Sequence, residues 1–136
     1  MEGEETPQLL ETLSARVEAS WEETDDDRRM FLRGLRHLQK GEVRAASRVF
    51  RRAVRRCEPP FCVMARMARG RCEVVRDRQG VALRTFRRVA ESDAPDGLRK
   101  MAWMEIADLA RERGDEQMLA EARDAMSTAR RATPAG

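Results

Sequence analysis

The chain has 136 residues, 41% of them hydrophobic and 38% charged, with a mean hydropathy of -0.69; this is the size of one domain and too much charge for a membrane span. Four Phe, two Trp, no Tyr and eight Met call for an aliphatic, Met-filled core, in a chain long enough to bury roughly two thirds of its unfolded surface. Three cysteines, Cys57, Cys62 and Cys72, are too few for a stapled secreted scaffold, and no apolar stretch follows a basic start at Met1, so the expected compartment is a reducing cytoplasm.

In chain order, the first predicted element is a helix over 7–22, opening at Thr6-Pro7. Leu10, Leu13, Val17 and Trp21 recur on one face, and Glu11, Glu18, Glu22 and Glu23 take the others. Residues 1–26 thus form an acidic amphipathic arm, read either as a fixed cap on the helical body or as a reversibly docked mimic of an acidic ligand. Further helices are predicted over 27–40, 42–57, 60–77, 79–91, 97–113 and 115–131, with a short tail at 132–136. In the 42–57 helix Val43, Ala46, Phe50, Ala53 and Cys57 mark the helical period. Gly41 ends the helix before it, Gly80 stands near the corresponding break further on, and Gly114 serves the same purpose later; each is expected in the left-handed conformation that closes a helix. Pro59-Pro60 and Pro95 stop the second helix of a pair and open the next one. The alternation that strands need is absent.

Charge follows this organisation. Residues 1–27 carry ten acids against Arg16, residues 28–92 nineteen bases against five acids, and residues 93–136 seven bases against nine acids. The blocks fit either solvated helix faces or an acidic arm lying against a basic body, and suggest an acidic or nucleic-acid partner.

The body repeats itself at an offset of 36 residues. Gly34 maps to Gly70, Leu38 to Val74, Ala46 to Ala82, Phe50 to Phe86, Ala53 to Val89 and Pro59 to Pro95. With Gly34, Ala46-x3-Phe50, Ala53 and Pro59 in the first copy, and Gly70, Ala82-x3-Phe86 and Pro95 in the second, the sequence resembles the tetratricopeptide repeat. A weaker third copy runs from Trp103-x2-Ile106-Ala107 to Gly114 and then loses the A-x3-F element. The chain departs from the pattern at Met30 and Arg66, where Trp is usual, at Arg33 and Arg69, where Leu is, and at His37 and Glu73, where Tyr is.

The resemblance covers residues 27–131 and implies an all-α, right-handed superhelix of about three helix pairs with an extra N-terminal helix. It also implies that the first helix of each pair lines a concave groove. Carried over, the lining is Phe31, Leu35 and Leu38 in the first copy, Met64, Met67, Arg71 and Val74 in the second, and Met101, Met104 and Asp108 in the third. Met repacks readily around varied apolar partners, so the implied function is non-catalytic protein binding, as an adaptor, chaperone or regulatory subunit. The same stripe at helical spacing also reads as ordinary core.

The second helices present Arg44, Arg48, Arg51, Arg52, Arg55, Arg84, Arg87 and Arg88, a basic surface suited to phosphates and hence to nucleic acid as the alternative partner. There is no aromatic interleaving for base stacking. Cys57-x4-Cys62-x9-Cys72 lacks the paired spacing of a zinc site, His37 is the only His, and phosphate loops and nucleophile elbows are missing. Neither metal, cofactor nor catalysis is expected, and no membrane partner. Oligomeric state is left open.

Overall fold

The computed structural model describes residues 11–13 and 25–132. Residues 25–132 form six helices, α1 (Asp25–Gln39), α2 (Val43–Arg56), α3 (Phe61–Val75), α4 (Gln79–Ala90), α5 (Asp96–Arg113) and α6 (Glu116–Ala132). Among the described residues there is no strand. The fold is all-α and tetratricopeptide-like. Each predicted body helix is found within two residues of its expected ends, because its apolar period and its Gly or Pro boundaries agree.

In α2 the apolar period becomes packing directly. Ala46, Phe50 and Ala53 are buried while Arg44, Arg48, Arg51, Arg52, Arg55 and Arg56 on the other side are exposed. Most of the predicted N-terminal helix lies outside the described residues. Of it, residues 11–13 are helical and Leu13 is fully buried in the core cluster.

Two of the three glycine turns are as expected. Gly41 has φ +79° and Gly114 φ +67°, a conformation that costs Gly nothing. Gly80 is a correction: it lies inside α4, and the left-handed residue at that break is Asp77, φ +60°. Asp tolerates this region better than most side chains. Asp77 stands 36 residues after Gly41, and the two turns share their bonds. Glu42 N–H donates to His37 O at 2.9 Å and Arg78 N–H to Glu73 O at 2.8 Å.

Each helix packs against the next in sequence, and successive first helices also touch, α1 to α3 and α3 to α5. Two glycines set the spacing within pairs. An added Cβ at Gly34 would meet the Phe50 ring, with Cζ at 2.7 Å, and one at Gly70 would lie 2.6 Å from Phe86 Cε1. The buried face of α4, Ala82, Leu83, Phe86, Val89 and Ala90, recurs 36 residues on in α6 as Met118, Leu119, Ala122, Ala125 and Met126, buried or half-buried and without a ring.

Candidate functional site

The inner stripe expected to line a groove is mostly core. Phe31, Leu35, Leu38, Met64 and Met67 are buried, which corrects their assignment to a binding face. The reason is the direct contact between first helices. Phe31 sits against Phe61 of α3, with ring centroids 6.3 Å apart, and against Phe50 of α2 at 5.7 Å, so its ring is held by both neighbouring helices. Arg71 is also buried, its Nη1 donating to Glu105 Oε2 of α5 at 3.3 Å, and is a bridge between first helices rather than a groove residue. Val74, Met101 and Asp108 are half-buried, and Asp108 accepts from Arg111 at 2.8 Å. Met104, at 51% exposure, is the expected groove side chain most open to solvent.

The second-helix side is built differently. The backbones of α2, α4 and α6 stay apart, leaving grooves between them that are floored by the intervening first helices. Between α2 and α4 this opens a cavity of about 330 Å³, lined by Val54 of α2, Arg66 and Arg69 of α3, and Val81, Arg84, Thr85 and Arg88 of α4. A second cavity of about 380 Å³ shares Arg66 and Arg88 and is walled by Pro59, Cys62, Val63, Val89 and residues 92–95. The two adjoin at Arg66 and Arg88 as one trough; the first part adds Arg69 and Arg84, and the second adds mainly apolar side chains with one carboxylate, Asp93.

Helical spacing aims these arginines. Arg66 and Arg69 are three apart on α3, and Arg84 and Arg88 four apart on α4, so each pair shares a face. Among the described residues none of the four has a carboxylate within 4.0 Å. The Nε of Arg69 is buried without a hydrogen-bond partner. A guanidinium does not deprotonate to escape burial, and its donors match carboxylate oxygens in a fixed fork. Arg84 and Arg88 belong to the expected basic surface. Arg66 and Arg69 lie outside that expected surface; their signal in the sequence is a charge at two positions that the repeat makes large and apolar.

The groove between α4 and α6 differs. Arg87, also expected on the basic surface, is half-buried there and spent internally: it donates to Glu91 at 3.2 Å and to Glu121 of α6, and its guanidinium carbon lies 5.9 Å from the Trp103 ring. The bond to Glu121, then Glu91, holds its pKa above the ordinary arginine value against the effect of burial.

Cys57 and Cys72 are buried and Cys62 half-buried, all as free thiols. Burial pushes the Cys57 and Cys72 thiols up to about 12, helped at Cys57 by Asp27 and at Cys72 by Glu73, which leaves them poor nucleophiles. His37 contacts Glu42 at 3.3 Å on the surface. No cluster of three metal-ligating side chains occurs among the described residues, and no described helix is long and apolar enough to cross a membrane.

The family model described as tetratricopeptide repeat matches residues 31–97, a stretch that holds α2, α3 and α4 with both glycine-to-ring contacts. Comparison with curated proteins and with solved structures gives no match.

Proposed function

We propose that this chain, a tetratricopeptide-like helical repeat protein, is a non-catalytic adaptor or regulatory subunit that holds a segment of another protein against its basic second-helix side. Tetratricopeptide repeats generally mediate protein–protein interaction and are typically non-catalytic, which supports the general role. The observation that supports this surface is the convergence of Arg66, Arg69, Arg84 and Arg88, without carboxylate partners among the described residues, on one open trough. The stripe expected inside the array is spent on packing, so the apolar groove carries less of the proposal than the arginines do. Met104 remains as its exposed remnant.

Nucleic acid is the second reading, favoured by the exposed arginines of α2. Affinity capture from native extract separates the two. A protein identified by mass spectrometry, retained after nuclease treatment and lost from the Arg84→Glu/Arg88→Glu variant, is the expected result. Capture that disappears with nuclease overturns the protein reading.

A further inference from the structure

The helix pairs α2/α4 and α4/α6 are related by the 36-residue repeat, and in both the backbones stand apart, but the charges between them differ. In the α4–α6 groove a carboxylate from the later helix, Glu121, reaches back to Arg87 of the earlier one. Thr85 holds the position of Glu121 in the α2–α4 groove, 36 residues earlier and in the same face register. Its hydroxyl is turned onto its own helix, donating to Val81 O at 3.0 Å. Arg55 likewise stands 36 residues before Glu91, the other carboxylate that holds Arg87. The first groove therefore lacks both carboxylates of the second and gains arginines instead.

Resting on the proposed protein-binding role of the basic side, we infer that the α2–α4 groove binds a carboxylate-bearing, apolar-flanked segment of a partner protein, one of whose acidic side chains takes the place that Glu121 holds in the next groove. Charge complementarity names the acidic component. Arg66 and Arg69 approach from the floor and Arg84 and Arg88 from the wall, offering forked donors in a partly dry setting where bonds to carboxylate are strong. The trough names the rest. Val54 and Val81 line the basic end, and Val63 and Val89 the continuation, so a segment that alternates acidic and apolar side chains satisfies both. Neither cavity is lined by an aromatic side chain, and unstacked bases find no platform there.

The test uses the full chain and a fluorescein-labelled dodecapeptide of alternating Glu and Leu, against one of alternating Gln and Leu and a single-stranded DNA dodecamer. Anisotropy is expected to show binding of the Glu–Leu peptide, with the Gln–Leu peptide weaker by roughly tenfold or more. Thr85→Glu, which supplies the missing carboxylate from within, is expected to weaken the Glu–Leu peptide by about the same factor, as is Arg66→Gln/Arg84→Gln. Lys100→Gln/Arg113→Gln removes as much charge from exposed positions elsewhere and leaves affinity unchanged; melts of all variants check folding. The inference is overturned if Thr85→Glu binds like the wild type, if the control double substitution weakens binding as much, or if the DNA binds and the peptide does not. Loss of peptide binding in Arg44→Gln/Arg48→Gln, with both groove variants unaffected, overturns the groove while leaving the broader basic side in place.

Discussion

Gly70 lies directly beneath the ring of Phe86, so close that an added Cβ would stand 2.6 Å from Cε1 and 2.9 Å from Cζ. Gly34 and Phe50 make the same contact 36 residues earlier. A missing side chain on the first helix and a ring on the second are thus one packing unit, repeated.

Gly70→Ala is expected to destabilise the protein by about 1–3 kcal/mol, because the buried ring has to shift in a filled core. This runs against intrinsic helix propensity, which favours Ala over Gly by about 1 kcal/mol. Chemical denaturation measures the sign. Gly70→Ala combined with Phe86→Leu is expected to lose less than the sum of the two single changes, since the smaller side chain makes room.

Phe50→Ala and Phe86→Ala are each expected to cost about 3–5 kcal/mol, both rings being wholly buried. A thermal melt unaffected by either would refute the glycine-and-ring packing unit.

The expected inner stripe divides into two behaviours that a melt tells apart. Met67 is 0% exposed and Met104 51%. Met67→Glu buries an unpaired charge and is expected to unfold the protein or to cost several kcal/mol. Met104→Glu is expected to move stability by no more than about 0.5 kcal/mol.

The fold is largely legible in the sequence because the helices of the first two copies are marked by their apolar period, by Gly or Pro boundaries and by their copy 36 residues away, whereas the last helix has lost the A-x3-F element and rests on Gly114 and its period. Gly80 misleads because it is the glycine nearest the break, whereas the turn itself repeats at 36 residues and uses Asp77. The candidate site is half legible. Exposed arginines on α2 and α4 follow from periodicity, but a run of Phe, Leu and Met at helical spacing looks the same whether it faces a partner or a neighbouring helix. Only the contact between first helices decides it, and that contact is tertiary. Arg66 and Arg69 stand out in the sequence as departures from the repeat, and what they approach depends on how far α2 and α4 stand apart.

The buried thiols make alkaline stability a prediction. Cys72 is raised from an ordinary 9.0 to about 12, chiefly by burial. Below pH 9 the thiol is protonated in both folded and unfolded chains and has no effect. Between pH 9 and about 12 the unfolded chain releases this proton and the folded chain keeps it, so stability falls as pH rises. Cys57 has the same sign and the same range. Denaturant midpoints measured from pH 7 to 11 are expected to decline above pH 9, and less steeply in Cys72→Ala. Maleimide labelling in the native state is expected at Cys62 first, since it is the half-buried one of the three.

Arg71 and Glu105 join α3 to α5 through a pair in which each side chain is no more than 10% exposed, 3.3 Å apart. Two desolvated charges repay their burial to each other and to neighbouring polar groups, so removing one alone takes part of that compensation from the other. Glu105→Leu or Arg71→Met singly is therefore expected to cost about 3–5 kcal/mol, and the double change Arg71→Met/Glu105→Leu to be close to neutral, within about 1–2 kcal/mol of the wild type. Salt gives a second readout. Because the pair is buried it is screened far less than the surface pair Arg111–Asp108, and the coupling between positions 71 and 105 in a double-mutant cycle is expected to survive molar sodium chloride. A cycle with no coupling at either salt concentration would show that the two charges are each satisfied by other neighbours.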